Sequence, residues 1–319
     1  MDALTDLLDG PRARGAFMLR ASFSPPWSLR IQDEAPITLL SMVSGDAWLT
    51  PDGAEPERVS PGDMAILRGP DPYTVSDAPG TEPQVVIHPG QVCTTPDGTS
   101  MSGTMDLGVR AWGNDPGGPA VILVGTYQMR GAVTRRLLAA LPALAVVRGD
   151  EWRSPLVGVL GEEVGKDEPG QDIVLDRLLD LLLVGTLRAW FARPGAEAPG
   201  WYRAHGDPVV GPALRLLHDD LSHPWTVAGL AAAVGVSRAA LAQRFTKLTG
   251  EPPMAYLTGI RLAQAADLLR ESDATLEAVA RRVGYGTAFA LSTAFKRQHG
   301  VSPQEYRSAA PARTAAVPG

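Results

Sequence analysis

VARRVGYGTAFALSTAFKRQHGVSPQEYR, residues 279–307, decides how the rest of the chain is read. Val279, Val283, Leu291 and Phe295 fall at helical spacing, and Gly284 interrupts them. A glycine at that point permits the left-handed backbone that ends a helix, and Thr287 can cap the next one. The spacing predicts helices over 276–283 and 288–298 joined by a tight turn, which is a helix-turn-helix.

Upstream the pattern occurs again. Leu241, Phe245, Gly250, Pro253 and Tyr256 recur fifty residues later as Leu291, Phe295, Gly300, Pro303 and Tyr306. Before the turn the offset is forty-nine, pairing Leu230 with Val279 and Val234 with Val283. The one-residue change falls at the turn, where Gly235-Val236-Ser237 stands against Gly284-Tyr285-Gly286-Thr287. Turns absorb insertions, so this is a structural repeat. In the first unit Thr226 can cap a helix running to Val234, and Ser237 can cap a second over 238–248. A helix over 253–269 would join the two units.

The second helix of such a unit reads double-stranded DNA with its exposed face, while caps and cations hold phosphates. In the first unit that face is Ser237, Arg238, Ala239, Ala242, Gln243, Arg244 and Lys247. Gln243 can pair with adenine and Arg238 with guanine. In the second unit it is Thr287, Phe289, Ala290 and Thr293, which offer thymine methyls an apolar contact and one hydroxyl. Lys296 and Arg297 follow as phosphate contacts.

Residues 225–307 resemble the DNA-binding domain of the AraC/XylS family. The similarity runs through Val279–Arg307 and through SRAALAQRFTKLTGEPPMAYLTGIRLAQAADLLR in the first unit. The resemblance implies a seven-helix domain that places two recognition helices in successive major grooves. Many members carry Arg two residues before each core Phe, where this chain has Gln243 and Thr293. That departure implies a different base preference and weaker readout by the second unit.

The chain of 319 residues is long enough for a second domain, and 45% apolar with 20% charged residues is ordinary for a globular protein. Pro212–Arg307 holds 11 basic and 8 acidic residues, a net +3, against −9 for the remainder. The sign of that asymmetry suits a C-terminal DNA-binding domain. Up to about Tyr127 short apolar runs, Ile37–Val43, Met64–Leu67, Gln84–His88 and Ala120–Tyr127, alternate with Pro/Gly turns, which predicts a small barrel or sandwich. After Arg130 the pattern becomes helical, with helices expected over 134–141 and 171–193. The second is apolar nearly all round and must be buried on more than one side, which points to a homodimer seam or to packing within its own domain.

The N-terminal half more loosely resembles the cupin-type ligand-binding domain of some of these regulators. The matching pieces are LTDLLDG near the start, PPWSLR, SGDAWL, SPGDMAILRGPDPYTVSD and RRLLAALPALAVV. The resemblance implies a barrel that holds a small-molecule effector, with helices that dimerise. Trp27, Trp48, Tyr73, His88 and Trp112 are the expected effector pocket. Cupin metal sites use a cluster of histidines, but here His88 alone lies in the barrel region and Tyr73 stands where many relatives have His. No metal, no cofactor and no enzymatic activity is expected; a cupin enzyme fused to a DNA-binding domain is one alternative. A redox switch on Cys93 is the other.

The expected fold is α+β with two domains: a cupin-like sensor over 1–193 (barrel to about 130, helices over 131–193) and an all-α domain of two helix-turn-helix units over 212–308. A linker over 194–211 and a disordered tail over 309–319 complete it. One cysteine, no basic-then-apolar leader and no apolar run long enough for a bilayer point to the cytoplasm and away from membranes. The expected partners are duplex DNA, an effector, a second copy of the chain and RNA polymerase.

Overall fold

The computed structural model describes residues 17–127, 138–193 and 198–308. They divide into two compact units, one ending at residue 193 and the other beginning at Ala198.

The first unit is built from β1 (Phe17–Phe23), β2 (Ser28–Ile31), β3 (Ile37–Ser44), β4 (Ala47–Pro51), β5 (Glu57–Val59), β6 (Met64–Arg68) and β7 (Tyr73–Ser76). It continues with β8 (Val85–His88), β9 (Val92–Thr94), β10 (Asp106–Gly108), β11 (Ala111–Gly113), β12 (Ala120–Tyr127) and β13 (Leu144–Val147). These form a seven-stranded sheet, ordered β10-β11-β1-β12-β3-β6-β13, and a six-stranded sheet, ordered β5-β4-β7-β2-β8-β9. Alternate residues of each strand point to opposite faces. Ala21, Met42, Leu67 and Ile122 from one sheet therefore meet Leu29, Leu49, Val59 and Val75 from the other in one core.

Among its described residues this unit also carries helices α1 (Leu156–Glu163) and α2 (Gln171–Ala192). The apolar character of α2 has a local use. Leu175, Leu178, Leu179, Leu182, Leu183 and Leu187 are buried, each contributing about 1.5–3 kcal/mol relative to exposure. Leu179 packs over Gly125 of β12, where a Cβ would come within 2.5 Å of its side chain. The Tyr127 hydroxyl donates to the Leu179 carbonyl at 2.7 Å. Ile173, Val174 and Leu181 stay exposed. The four expected apolar runs are strands β3, β6, β8 and β12. Strand β13 and helix α1 lie within the region expected to be helical or irregular, and β13 pairs antiparallel with β6 from Leu144↔Leu67 to Val147↔Met64. The LTDLLDG stretch, most of the helix expected over 134–141 and the tail 309–319 lie outside the described residues.

The second unit contains α3 (Gly200–Ala204), α4 (Val210–Asp219), α5 (Val227–Ala233), α6 (Arg238–Thr249) and α7 (Pro253–Glu271), then α8 (Leu276–Arg282), α9 (Ala288–His299) and α10 (Pro303–Ser308). Seven helices thus run from Val210 to Ser308, as the resemblance implied. The linker expectation is corrected: the described part of 194–211 is packed structure of this unit. Trp201 and Ala204 of α3 are buried. A Cβ on Gly200 would lie 2.5 Å from the Leu248 carbonyl, so the backbone of α3 closes directly onto the end of α6.

Candidate functional site

The repeat of the sequence is a repeat of geometry. Thr226 and Ser237 accept from the backbone N–H of Gly229 and Ala240; Thr275 and Thr287 accept from Ala278 and Ala290. Each cap satisfies a donor that the first turn of a helix otherwise leaves open. Helices α6 and α9 both end on left-handed glycines, Gly250 at φ 85° and Gly300 at φ 76°. Phe245 meets Tyr256 edge-on at 5.6 Å and 76°, and Phe295 meets Tyr306 at 5.2 Å and 76°. Leu241, Phe245, Leu291 and Phe295 are wholly buried. That fixes which face of each helix is free.

One side chain ties the units to each other. Arg261 of α7 donates from Nε to the Leu221 carbonyl and from Nη2 to the His223 carbonyl, both at 2.7 Å, just ahead of α5. Its guanidinium also lies against the turn of the second unit: a Cβ on Gly284 would come within 2.6 Å of Arg261 Nη2 and 2.7 Å of the Leu221 carbonyl. Gly284 is at φ 79°, so glycine is required there twice, by conformation and by space. Burial pulls the Arg261 guanidinium below its ordinary pKa, with Tyr285 and Asp220 opposing.

On α6, Ser237, Arg238, Ala239 and Gln243 are exposed and Ala242 is half-buried. Arg238 and Gln243 have no partner among the described residues, so their donors are free. Lys247 is also exposed. Arg244 departs from expectation. Its Nε and Nη2 reach Asp207 Oδ2 at 2.9 and 2.8 Å. Asp207 in turn accepts from the backbone N–H of Val209 and Val210, opening α4. Burial opposes ionisation of Asp207, but the Arg244 bond and those amides outweigh it and hold the carboxyl below its usual range. Arg244 is therefore an anchor of α6 rather than a free groove cation. The pair spans 37 residues, and nothing in the local pattern announces it.

On α9, Thr287, Phe289, Ala290, Thr293, Lys296 and Arg297 are all exposed, Phe289 to 82%. The hydroxyl of Thr293 is not free to donate outward: it donates to the Phe289 carbonyl at 3.0 Å. The two outward faces, alike in scaffold, differ in chemistry.

In the sheet unit, three of the five residues expected to form an effector pocket, Trp27, Tyr73 and Trp112, lie in one core, and Trp48 and His88 do not. Ala47, Leu49 and Ile87 face the core, so by strand alternation Trp48 and His88 face away from it. His88 Nε2 pairs with Thr94 Oγ1 at 2.9 Å. Trp27 is 2% exposed and stacked on Phe23 at 4.6 Å. Tyr73 and Trp112 do face inward, partly buried against the core with Ile87 and Cys93. Burial raises the Tyr73 phenol well above its ordinary value, a shift that its bond to Thr38 opposes. The Trp27 indole N–H is buried with no hydrogen-bond partner among the described residues. Burial also pushes the Cys93 thiol up, which disfavours a reactive thiolate. Among the described residues no cluster of His, Cys, Asp and Glu could hold a metal, and no helix is long and apolar enough to cross a membrane.

A two-sheet domain followed by paired helix-turn-helix units on one connecting helix defines a DNA-binding transcription regulator with an N-terminal cupin domain. Comparison with known proteins agrees. The family model described as Cupin matches residues 2–192, and the model described as helix-turn-helix domain matches residues 230–309. AraC-like transcription regulators of Streptomyces lividans and Streptomyces antibioticus are 31% and 30% identical over 312 residues, 96% of this chain and 98% of each of those proteins. Among solved structures, the DNA-binding domain of AdpA in complex with a target DNA is 36% identical, with a TM-score of 0.31, covering 33% of this chain and 93% of that one. The chain belongs to the AraC/XylS family of transcription regulators.

Proposed function

We propose that α6 and α9 enter neighbouring major grooves of one duplex, and that a small molecule held between the two sheets of the cupin domain controls this binding. The carrying observation is the free, exposed pair Arg238 and Gln243 on a capped helix whose opposite face is locked by Leu241 and Phe245. Arg238 suits guanine and Gln243 adenine. Ser237, Thr287, Lys247, Lys296 and Arg297 hold the backbone.

Support for the effector comes from the sheet core. Tyr73, Ile87, Cys93 and Trp112 pack against it while keeping accessible surface. The orphan indole of Trp27 supplies a donor that an acceptor on the ligand would satisfy. Support for a homodimer comes from α2, which exposes Ile173 at 67%, Val174 at 42% and Leu181 at 56% beside the exposed Asp172 and Arg177, while its leucine face is buried in its own unit. A second copy of the chain covers that stripe. Leu181→Asp is expected to shift the protein to monomer in sedimentation velocity, and an unchanged sedimentation coefficient would remove the seam from α2.

The reading is tested by gel retardation of the full chain on duplexes from upstream of its own gene. Retardation that weakens steeply with salt is expected, because each phosphate contact releases counterions. No retardation of any fragment at low salt overturns it.

A further inference from the structure

We propose that α9 reads the 5-methyl group of pyrimidines instead of a hydrogen-bonding base edge, so that its half-site accepts thymine and 5-methylcytosine alike and disfavours uracil and unmethylated cytosine. This rests on the reading of α9 as a DNA-recognition helix and names what that helix recognises.

The chemistry of its outer face leaves little else. Phe289 and Ala290 carry no polar side-chain atom. Thr293 Oγ1 spends its proton on the Phe289 carbonyl at 3.0 Å, leaving its methyl as the outward group. Thr287 Oγ1 accepts from the Ala290 amide at 3.1 Å. At Phe289, Ala290 and Thr293, the exposed positions of the first two turns, no side chain offers a free donor to guanine O6, to purine N7 or to thymine O4; the Thr287 hydroxyl keeps its proton at the cap, where the proposed docking gives it a phosphate, and Ser292 is half-buried. Meanwhile Phe289, at 82%, is the most exposed large apolar side chain described. The apolar feature of the major groove is the C5 methyl of thymine, and 5-methylcytosine carries the same group at the same atom. Helix α6 has the opposite inventory, with the free donors of Arg238 and Gln243. The two helices divide the operator: α6 reads polar edges and α9 reads methyls. Binding then responds to cytosine methylation wherever a cytosine stands in the α9 half-site.

The test uses the full chain and a duplex it selects from a random double-stranded pool. Each thymine is then replaced by deoxyuridine, and each cytosine by 5-methylcytosine, with affinity measured by titration. Removal of one contacted thymine methyl in the α9 half-site is expected to weaken binding about fourfold, the yield of burying one methyl-sized group. A 5-methylcytosine placed there in place of thymine is expected to retain most of the affinity. Phe289→Ala is expected to bind thymine and deoxyuridine duplexes equally while keeping the wild-type melting curve, since Phe289 is 82% exposed and outside the buried core. Gln243→Ala keeps the discrimination. Equal binding of thymine and deoxyuridine by the unsubstituted chain overturns the inference and leaves the DNA reading intact. Discrimination that survives in Phe289→Ala overturns it as well. A pool that yields no selected duplex overturns both.

Discussion

Helices α6 and α9 are the same device turned to different ends. Both begin on a hydroxyl cap, bury a Leu and a Phe four residues apart, set that Phe edge-on against a Tyr and close on a left-handed glycine. Outward, one presents an arginine and a glutamine, the other a phenylalanine and methyl groups. What repeats is what packs, because the core tolerates little change in volume. What differs faces solvent, where no fold constraint holds it, and that is where the proposed reading places recognition.

If the scaffold is shared, equal damage to each core should cost alike. Phe245→Ala and Phe295→Ala are each expected to destabilise the unit by about 3–5 kcal/mol in chemical denaturation. A large cost for one and a small cost for the other would break the symmetry. The turns sharpen the comparison, because they are not equivalent. Gly235 (φ 72°) has open space where a Cβ would go, whereas Gly284 (φ 79°) faces Arg261 and the Leu221 carbonyl. Gly235→Ala is expected to cost about 1–2 kcal/mol, the strain of the left-handed backbone alone, and Gly284→Ala more than that. Equal losses would mean that Arg261 does not clamp the second turn.

The next effects are on binding. Arg238→Ala and Gln243→Ala are each expected to lose about 1–3 kcal/mol of affinity and to relax preference at one base pair. Lys296→Ala is expected to weaken all duplexes uniformly and lower the salt slope by about 1. Loss of base preference from Lys296→Ala would reverse the assigned roles. The smallest effect concerns Asp207. Its folded-state pKa is lowered, so its contribution is complete above the ordinary carboxylate value near 4 and fades as pH falls through the folded one. Thermal melts should show Asp207→Asn losing stability at neutral pH but not at the acid end. A constant difference at all pH values would mean that the ion pair with Arg244 does not couple to folding.

Legibility in the sequence followed the range of the interaction. Caps, glycine stops and core phenylalanines of the C-terminal unit act within a few residues of themselves, so α5, α6, α8 and α9 were readable to within a residue or two. The anchor from Arg244 to Asp207 and the clamp by Arg261 were not, since they join residues 37 to 40 apart. Strand β13 pairs with β6 across nearly eighty residues, and an apolar run such as Leu144–Val147 carries no period that separates strand from helix. Two of the five expected effector-pocket residues depart for another reason: aromatic residues were grouped by type, while Trp48 and His88 sit at strand positions that alternation turns outward.

Hydroxyl-radical footprinting of the full chain on its selected duplex tests the central claim most directly. Two helices in neighbouring grooves should protect two tracts about 10 base pairs apart on one face. Arg238→Ala should weaken one tract more than the other, and Phe289→Ala the reverse. A single protected tract, or both lost together with either variant, would contradict the account.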